Sequence, residues 1–238
     1  MVRVLVKRII KTVSKLLFPP KCIFCASILN IQAEIGVCKK CHRSLAYIGN
    51  KLYYINKFSY KDLTPCKYFN RIFCVFEYSG YVRESIVRYK FFGKAHYYKT
   101  FAALLASKIK SIAQQHEFDM IMSVPLHKQK EKKRGYNQAY LISKELSKIM
   151  QLPEESNFLI RTKNTPSQSL LHKDERHNNI KNAFKVTDVD NVQGKKILLI
   201  DDVLTTGSTL NECSRVLKEA GADKVDIAVI AVAFAFKL

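Results

Sequence analysis

The chain has 238 residues, a length that fits one or two domains. Hydrophobic residues make up 47% of it, which is enough for a sizeable core and excludes a wholly disordered chain. It has 40 Lys and Arg against 20 Asp and Glu, and the net charge of +20 predicts a polyanionic partner: nucleic acid, a phosphorylated substrate or an anionic membrane surface.

The basic charge is concentrated near the N-terminus. Residues 1–65 have 12 Lys and Arg against 2 Asp and Glu, so about a quarter of the chain holds half of the net charge. We therefore place a domain boundary near residue 65, between a region over 1–65 and a domain over 66–238. The opening segment lacks the uninterrupted apolar core of a signal peptide, so we expect a cytoplasmic protein with reduced cysteines.

Residues 2–18 have apolar residues at helical spacing and a row of basic residues four apart. This pattern predicts an amphipathic helix that ends at Pro19 and Pro20. We favour a helix that packs its apolar stripe on the neighbouring domain, which is the usual role of such a stripe. The alternative is contact with nucleic acid or with an anionic membrane, which would place the protein at the periphery of the inner membrane.

Two pairs of cysteines follow, Cys22 with Cys25 and Cys38 with Cys41, and two residues separate the members of each pair. This spacing is typical of a zinc site. Four thiolates complete a tetrahedron and leave no position for substrate, so we expect a structural zinc ion that supplies much of the folding energy of this region. The three other cysteines lack such a partner, and we expect the second and third to be buried, unreactive thiols: Cys66, Cys74 and Cys213.

Beyond residue 70, strand patterns alternate with helix patterns, which predicts an α/β fold with a mostly parallel sheet and helices on both faces. The predicted strands span 71–78, 119–124, 158–161, 196–200 and 225–234. The predicted helices span 82–92, 101–113, 135–150, 173–181 and 208–220.

The most informative segment reads ILLIDDVLTTGST, over 197–209. An apolar strand leads into two carboxylates, Asp201 and Asp202, at the strand end where parallel sheets bind ligands. The loop that follows has hydroxyl groups, a glycine that admits close approach and a helix start whose N–H groups suit a phosphate. Its residues are Val203, Leu204, Thr205, Thr206, Gly207, Ser208 and Thr209. It lacks the GK[ST] ending of a Walker loop and the GxGxxG pattern of dinucleotide binding.

The two acids would repel a bound phosphate unless another group separated them. A ribose with its 5′-phosphate in the loop would place its 2′- and 3′-hydroxyls on Asp201 and Asp202. The same acids would stabilise positive charge that develops at C1 of the sugar, so we interpret them as catalytic as well as binding residues. Helix capping is the weaker explanation, because a capping acid lies next to the first turn.

This segment resembles the phosphoribosyl pyrophosphate (PRPP) motif of type I phosphoribosyltransferases, in which two acids precede TTGxT. The whole chain resembles the ComF family, which joins a four-cysteine zinc module to a phosphoribosyltransferase-like domain. Three further segments resemble that family, over 88–97, 123–139 and 164–184. Members often have a second cysteine knuckle, and here only Cys66 and Cys74 lie near its place.

The resemblance implies PRPP binding with Mg²⁺, which would bridge pyrophosphate and ribose oxygens. It also implies a role in natural transformation, in which the protein handles incoming single-stranded DNA on the cytoplasmic side, with DNA-uptake or recombination proteins as partners. An active phosphoribosyltransferase (a glycosyltransferase) for a small-molecule acceptor, with no direct DNA role, is the alternative. A structural adaptor for the DNA-uptake machinery is a third possible function. The fold alone does not decide between these three functions.

A basic run follows the first core strand. We assign Lys128 and Arg134 to the pyrophosphate of PRPP, with Arg161, Lys173 and Arg176 as candidate cations of a closing loop. The nucleic-acid contacts are assigned to the rest of the run and to the cysteine region: Lys130, Lys132, Lys133, Lys39, Lys40 and Arg43. Aromatic residues interleave with the N-terminal charge and could stack on bases: Phe18, Phe24, Tyr47, Tyr53, Tyr54, Phe58 and Tyr60. A solvated basic face with aromatic residues in the core is an equal alternative.

Overall fold

The computed structural model describes residues 18–33, 35–48, 53–54, 68–114, 116–164 and 180–233. The predicted helix over 2–18 lies outside the described residues except for Phe18, and the predicted helix over 173–181 lies outside them except at its C-terminal end. Several residues singled out above also lie outside: Phe58, Tyr60, Cys66, Lys173 and Arg176.

The strands are β1 Tyr53–Tyr54, β2 Arg71–Glu77, β3 Met120–Ser123, β4 Leu159–Arg161, β5 Phe184–Val186, β6 Lys196–Leu204 and β7 Lys224–Val232. The helices are α1 Lys39–Ser44, α2 Gly80–Phe91, α3 Tyr98–Lys110, α4 Lys128–Arg134, α5 Gln138–Met150 and α6 Ser208–Glu219. Short 3-10 helices span Ala95–Tyr97 and Ser156–Phe158.

The main sheet has the order β1-β2-β7-β6-β3. Its last four strands are parallel to one another, and β1 is antiparallel to β2. Strands β2 and β7 are buried along nearly their whole length, as expected where helices cover both faces of a parallel sheet. The predicted α/β fold is therefore confirmed. Strands β4 and β5 form a separate antiparallel pair, of which only β4 is predicted from the sequence pattern.

Two hydrophobic cores lie on opposite faces of this sheet. Helices α2, α3 and α5 pack on one face, where Ile86, Phe101 and Leu146 are fully buried. Helix α6 packs on the other face through Leu210 and Leu217. Cys74 and Cys213 lie in this second core, and their burial agrees with the expectation of unreactive thiols because it raises the pKa of both.

The cysteine region shares the first core. Phe24 is 1% exposed, and its ring centroid lies 5.4 Å from that of Phe76 and 6.5 Å from that of Phe101. The proposal that Phe24 stacks on bases is therefore wrong, because its ring is part of the core. Residues 55–67 lie outside the described ranges, so the domain boundary near residue 65 stays a prediction.

A buried cluster of charges lies where β2 and β7 begin. The guanidinium of Arg71 binds Asp226, which is 0% exposed, and Glu117. The backbone N–H of Arg71 also donates to Asp226, with an N···O distance of 3.1 Å. This cluster lies at the opposite end of the sheet from the predicted phosphate loop, and we assign it to stability.

Two boundaries differ from those predicted. The basic run over 123–139 contains helix α4, which begins after His127 and ends at Gly135, whose φ is 89°. Helix α5 therefore begins at Gln138 rather than at Gly135, and the side chain of Asn137 caps it by accepting from the N–H groups of Ala139 and Tyr140. Strand β6 continues to Leu204, so the acid pair lies within the strand rather than after it. Across the described residues, no helix is long and apolar enough to span a bilayer.

Candidate functional site

The acid pair lies near the carboxyl end of β6, in the interior of the sheet. Asp201 pairs in register with Val229 of β7, which explains why the strand continues through both acids. Asp202 is 8% exposed, and its backbone N–H donates to Oδ1 of Asp201 at 2.8 Å. The N–H of Val124, beyond the end of β3, donates to the carbonyl of Ile200 at 2.9 Å. The loop after β3 therefore starts beside the acid pair, as expected from the sequence.

The predicted phosphate loop joins β6 to α6. Gly207 has φ 77°, a left-handed conformation that favours glycine, and α6 begins at the next residue. The hydroxyl oxygens of Thr206 and Ser208 lie 3.1 Å apart, and both residues are buried. Thr205 is exposed and Thr209 is half-buried. The turn thus brings hydroxyl groups to the N-terminus of a twelve-residue helix, where the orientation of the N–H groups and the helix dipole favour an anion.

Lys90, in the last turn of α2, faces the acid pair. Its Nζ lies 2.7 Å from Oδ1 of Asp202, and both side chains are largely buried. The segment over 88–97 resembles the ComF family, but no role for Lys90 is predicted from the sequence. Proximity of this kind depends on how α2 packs against β6, which residue spacing does not reveal.

Burial, together with the neighbouring charge of Asp202, raises the pKa of Asp201 to about 7. The cations Lys90 and Arg161 act in the opposite direction. The carboxyl of Asp201 is thus divided between its protonated and ionised forms near neutral pH. A carboxyl that titrates there, beside a loop suited to phosphate, is typical of a functional site.

Three cations gather at the same edge of the sheet. Burial lowers the pKa of Lys130, and the charges of Arg161 and Arg134 lower it further. Burial also lowers the pKa of Arg161, whose guanidinium lies 5.3 Å from the centroid of the Phe184 ring. Since these cations repel one another, an anion between them would relieve the repulsion. The structure thus groups Lys130, which is assigned to nucleic acid on sequence grounds, with Arg134 and Arg161.

The other predicted basic residues lie on exposed surfaces. Lys128, Lys132 and Lys133 are exposed on α4. Lys39, Lys40 and Arg43 are exposed on α1, within the cysteine region. The structure thus leaves both groups accessible to a large anionic ligand.

The four paired cysteines form a cluster. The sulfur atoms of Cys22, Cys25, Cys38 and Cys41 all lie within 4.8 Å of one another, and those of Cys25 and Cys38 are 3.6 Å apart. A tetrahedral zinc with Zn–S bonds of about 2.3 Å requires S–S distances of about 3.8 Å, so the cluster fits this ion. In the described part of the chain it is the only group of this kind, and Cys74 belongs to a different core.

Hydrogen bonds prepare the cluster for a metal. The N–H of Cys38 donates to the sulfur of Cys22 at 3.5 Å, and the N–H of Cys41 donates to that of Cys38 at 3.3 Å. The hydroxyl of Ser27 is the main cause that lowers the pKa of Cys25 to about 6, whereas burial raises the pKa of Cys41. A bound cation would stabilise the thiolate form of all four.

Comparisons with known families agree with this arrangement. The model of the phosphoribosyl transferase domain matches residues 101–234, which is more than half of the chain. The model of the double zinc ribbon domain matches residues 13–52. Together with the parallel sheet, the acid pair and its loop, these matches define a phosphoribosyltransferase-like α/β protein with a zinc ribbon, and the cysteine cluster supports a structural zinc ion.

Relatives identify the family. The chain is 30% identical to competence protein F of Haemophilus influenzae over 217 residues, which covers 87% of this chain and 94% of that one. It is 33% identical to competence protein ComFC of Bacillus subtilis, over 62% of this chain and 58% of that one. It is 38% identical to the DNA utilization protein YhgH of Escherichia coli K12, over 46% and 47%. The chain belongs to the ComF family of competence proteins.

Proposed function

We propose that this protein binds PRPP with Mg²⁺ at the acid pair and phosphate loop, and that it acts in natural transformation by handling incoming single-stranded DNA on the cytoplasmic side. The observation that carries the PRPP assignment is the continuous unit of strand, Asp201, Asp202, left-handed Gly207 and helix α6. Within a few residues, this unit has carboxylates that can accept hydrogen bonds from hydroxyl groups and a helix start that can bind a phosphate.

The loop would hold the 5′-phosphate of PRPP. The hydroxyls of Thr206 and Ser208 lie beside the start of α6, and the first turn of this helix has no acidic residue whose charge would repel a phosphate. The phosphate would therefore meet hydroxyl and N–H donors. The acids would face the ribose of PRPP rather than its 5′-phosphate.

The acid pair would accept hydrogen bonds from the ribose hydroxyls. An ionised Asp201 accepts more hydrogen bonds than a protonated one, and its pKa of about 7 makes the ionised state available near neutral pH. The Nζ of Lys90 contacts Oδ1 of Asp202 at 2.7 Å. We assign Lys90 the role of positioning the carboxylate of Asp202 for the ribose hydroxyls.

The pyrophosphate would bind the cations near α4. Lys130 and Arg134 of α4 and Arg161 of β4 supply the positive charge, and Lys128 is exposed on α4. Mg²⁺ bound together with PRPP would neutralise charge on the pyrophosphate, since this ion prefers phosphate and water ligands to an all-protein cage. If the bond from C1 to pyrophosphate breaks, Asp201 and Asp202 would stabilise the positive charge that remains on the sugar.

The DNA role is supported by charge and by the family. The chain has a net charge of +20, and basic residues are exposed on both α1 and α4. The related proteins have the names competence protein and DNA utilization protein. Phosphate contacts from Lys39, Lys40, Arg43, Lys132 and Lys133 would bind a single strand with little sequence preference. The predicted helix over 2–18 remains a candidate for contact with the inner membrane or with DNA-uptake and recombination proteins.

Calorimetry of PRPP binding in the presence of Mg²⁺ tests the central claim. We expect wild-type protein to bind PRPP and the double variant Asp201→Ala with Asp202→Ala to lose binding while it keeps its zinc. Asp190→Ala is the matched control, because Asp190 is an exposed acid outside the site. Equal affinity of the double variant and wild type would show that the site is misassigned. Pyrophosphate release against a panel of acceptors, single-stranded DNA included, decides whether turnover occurs.

A further inference from the structure

Two large aromatic side chains are exposed beside the acid pair. Phe91 is 64% exposed and Phe92 is 65% exposed, at the C-terminal end of α2. They directly follow Lys90, whose ammonium lies 2.7 Å from Asp202. Val82, Ile86 and Tyr89 of the same helix are buried in the core. The two phenyl rings therefore have no packing role that explains them, and an adjacent exposed pair is typical of a binding surface.

Cations surround these rings. The guanidinium of Arg134 lies 5.1 Å from the ring centroid of Phe91, and the ring nevertheless keeps most of its surface open. Lys94, two residues beyond Phe92, is exposed. The sequence from 90 to 114 has no Asp or Glu, so this side of the rings has cations without neighbouring acids on the same segment. The acidic side chains nearby come from other elements, with Glu131 on α4 and Asp202, which Lys90 contacts, on β6.

We propose that Phe91 and Phe92 form a stacking platform for the bases of single-stranded DNA, and that Lys94 contacts an adjacent phosphate. The inference rests on the DNA role proposed above and gives it a location, at the margin of the PRPP site rather than in the cysteine region. Open aromatic faces between cations are the combination that binds unpaired strands, because every base has a face that can stack. A duplex offers no such faces, since its bases are already stacked on one another.

A membrane is the competing occupant, and the geometry of α2 disfavours it. A helix that lies on a bilayer presents an apolar stripe along its length. In α2 that stripe faces the protein core through Val82, Ile86 and Tyr89. The exposed rings lie only at the two ends of the helix, with Tyr81 in the first turn and Phe91 and Phe92 at the C-terminal end. Two exposed rings, one of them in contact with a guanidinium, are better suited to stack on a base whose phosphates bind nearby cations.

Fluorescence anisotropy with a labelled oligothymidylate at low salt tests the platform. We expect Phe91→Ala with Phe92→Ala to weaken binding at least about fivefold, since each stacked base contributes about that much or more. Tyr81→Ala is the matched control, because Tyr81 is 54% exposed in the first turn of the same helix. An abasic strand of equal length should bind wild type and double variant alike. PRPP affinity and zinc content check that the variant is folded. A second variant, Phe91→Leu with Phe92→Leu, keeps apolar side chains but has no aromatic rings, and it should lose oligonucleotide binding as the alanine variant does.

The outcomes separate the platform from the broader DNA role. If wild type fails to bind the oligonucleotide even at low salt, the DNA role itself is wrong and the platform falls with it. If wild type binds and the double alanine variant binds equally well, only the platform is wrong. The platform is also wrong if the variant keeps oligonucleotide binding and loses binding to vesicles of anionic lipid, which would make the rings a membrane contact.

Discussion

The ionisation of Asp201 should control PRPP affinity across neutral pH. Burial raises its pKa to about 7, and the charge of Asp202 on the same strand contributes. Lys90 of α2 and Arg161 of β4 lower it, while Cys213 of α6 is the thiol that faces it from the other core. A protonated Asp201 accepts fewer hydrogen bonds from ribose hydroxyls, so we expect tighter binding when the carboxyl is ionised.

The size of the effect follows from the pKa. Between pH 8 and pH 6 the ionised fraction of a group with a pKa of about 7 falls roughly tenfold, which corresponds to about 1.4 kcal/mol of binding free energy. For the stability of the protein without ligand, the pH dependence has the opposite sign. Because the folded-state pKa of Asp201 is raised from 3.8, its contribution to the free energy of unfolding is present below about pH 4 and is lost as pH rises through about 7.

Calorimetry with wild type and Asp201→Asn at pH 6, 7 and 8 measures this effect. The phosphates of the ligand also titrate near pH 6, and the Asn variant reports that contribution alone. We expect the affinity of wild type to depend more steeply on pH than that of the variant, by up to about tenfold over the range. Equal pH dependence in the two proteins would show that Asp201 does not bind PRPP as a carboxylate.

Four changes elsewhere in the protein test the other assignments. Cys22→Ser should abolish zinc binding, measured by elemental analysis, and lower the yield of folded protein. Arg88→Ala should weaken PRPP binding while zinc remains, because it frees the end of α2 that holds Lys90; unchanged affinity would contradict this. Lys132→Ala with Lys133→Ala should reduce the salt dependence of oligonucleotide binding by about 1.4 in log–log slope, whereas Asp201→Ala should not change it. Asp226→Ala should lower the free energy of unfolding by about 3–5 kcal/mol in a denaturant titration, because it leaves a buried arginine without its main partner.

The parts of the fold that depend on local pattern could be predicted. The unit from β6 through Gly207 to α6 is continuous in sequence, so its apolar run, its acids and its glycine identify it without tertiary information. The cysteine pairs are equally local, and their sulfur atoms do cluster. Helix α4 is not predicted, because a run of like charges is typical of a loop. Two residues nevertheless mark the ends of this helix, because His127 caps its N-terminus and Gly135 its C-terminus.

Features that depend on packing between distant segments could not be predicted. The strand continues through Asp201 because β7 lies alongside and pairs with it, and spacing within β6 does not reveal that neighbour. Phe24 is one of several aromatic residues in a basic region, and only the position of Phe76 and Phe101 shows that it belongs to the core. The contact of Lys90 with Asp202 likewise requires the docking of α2 against the sheet.

Helix α2 connects the cysteine cluster with the acid pair. The guanidinium of Arg88 donates to the carbonyls of Ile23 and Phe24, at 2.9 and 2.7 Å, and these two residues lie between Cys22 and Cys25 of the cluster. Lys90 follows two residues later and contacts Asp202. Because the two side chains leave the helix less than one turn apart, we expect a displacement of the cysteine loop to shift Lys90 relative to Asp202. This coupling is the reason that Arg88→Ala should weaken PRPP binding although Arg88 donates to the cysteine loop rather than to the acid pair.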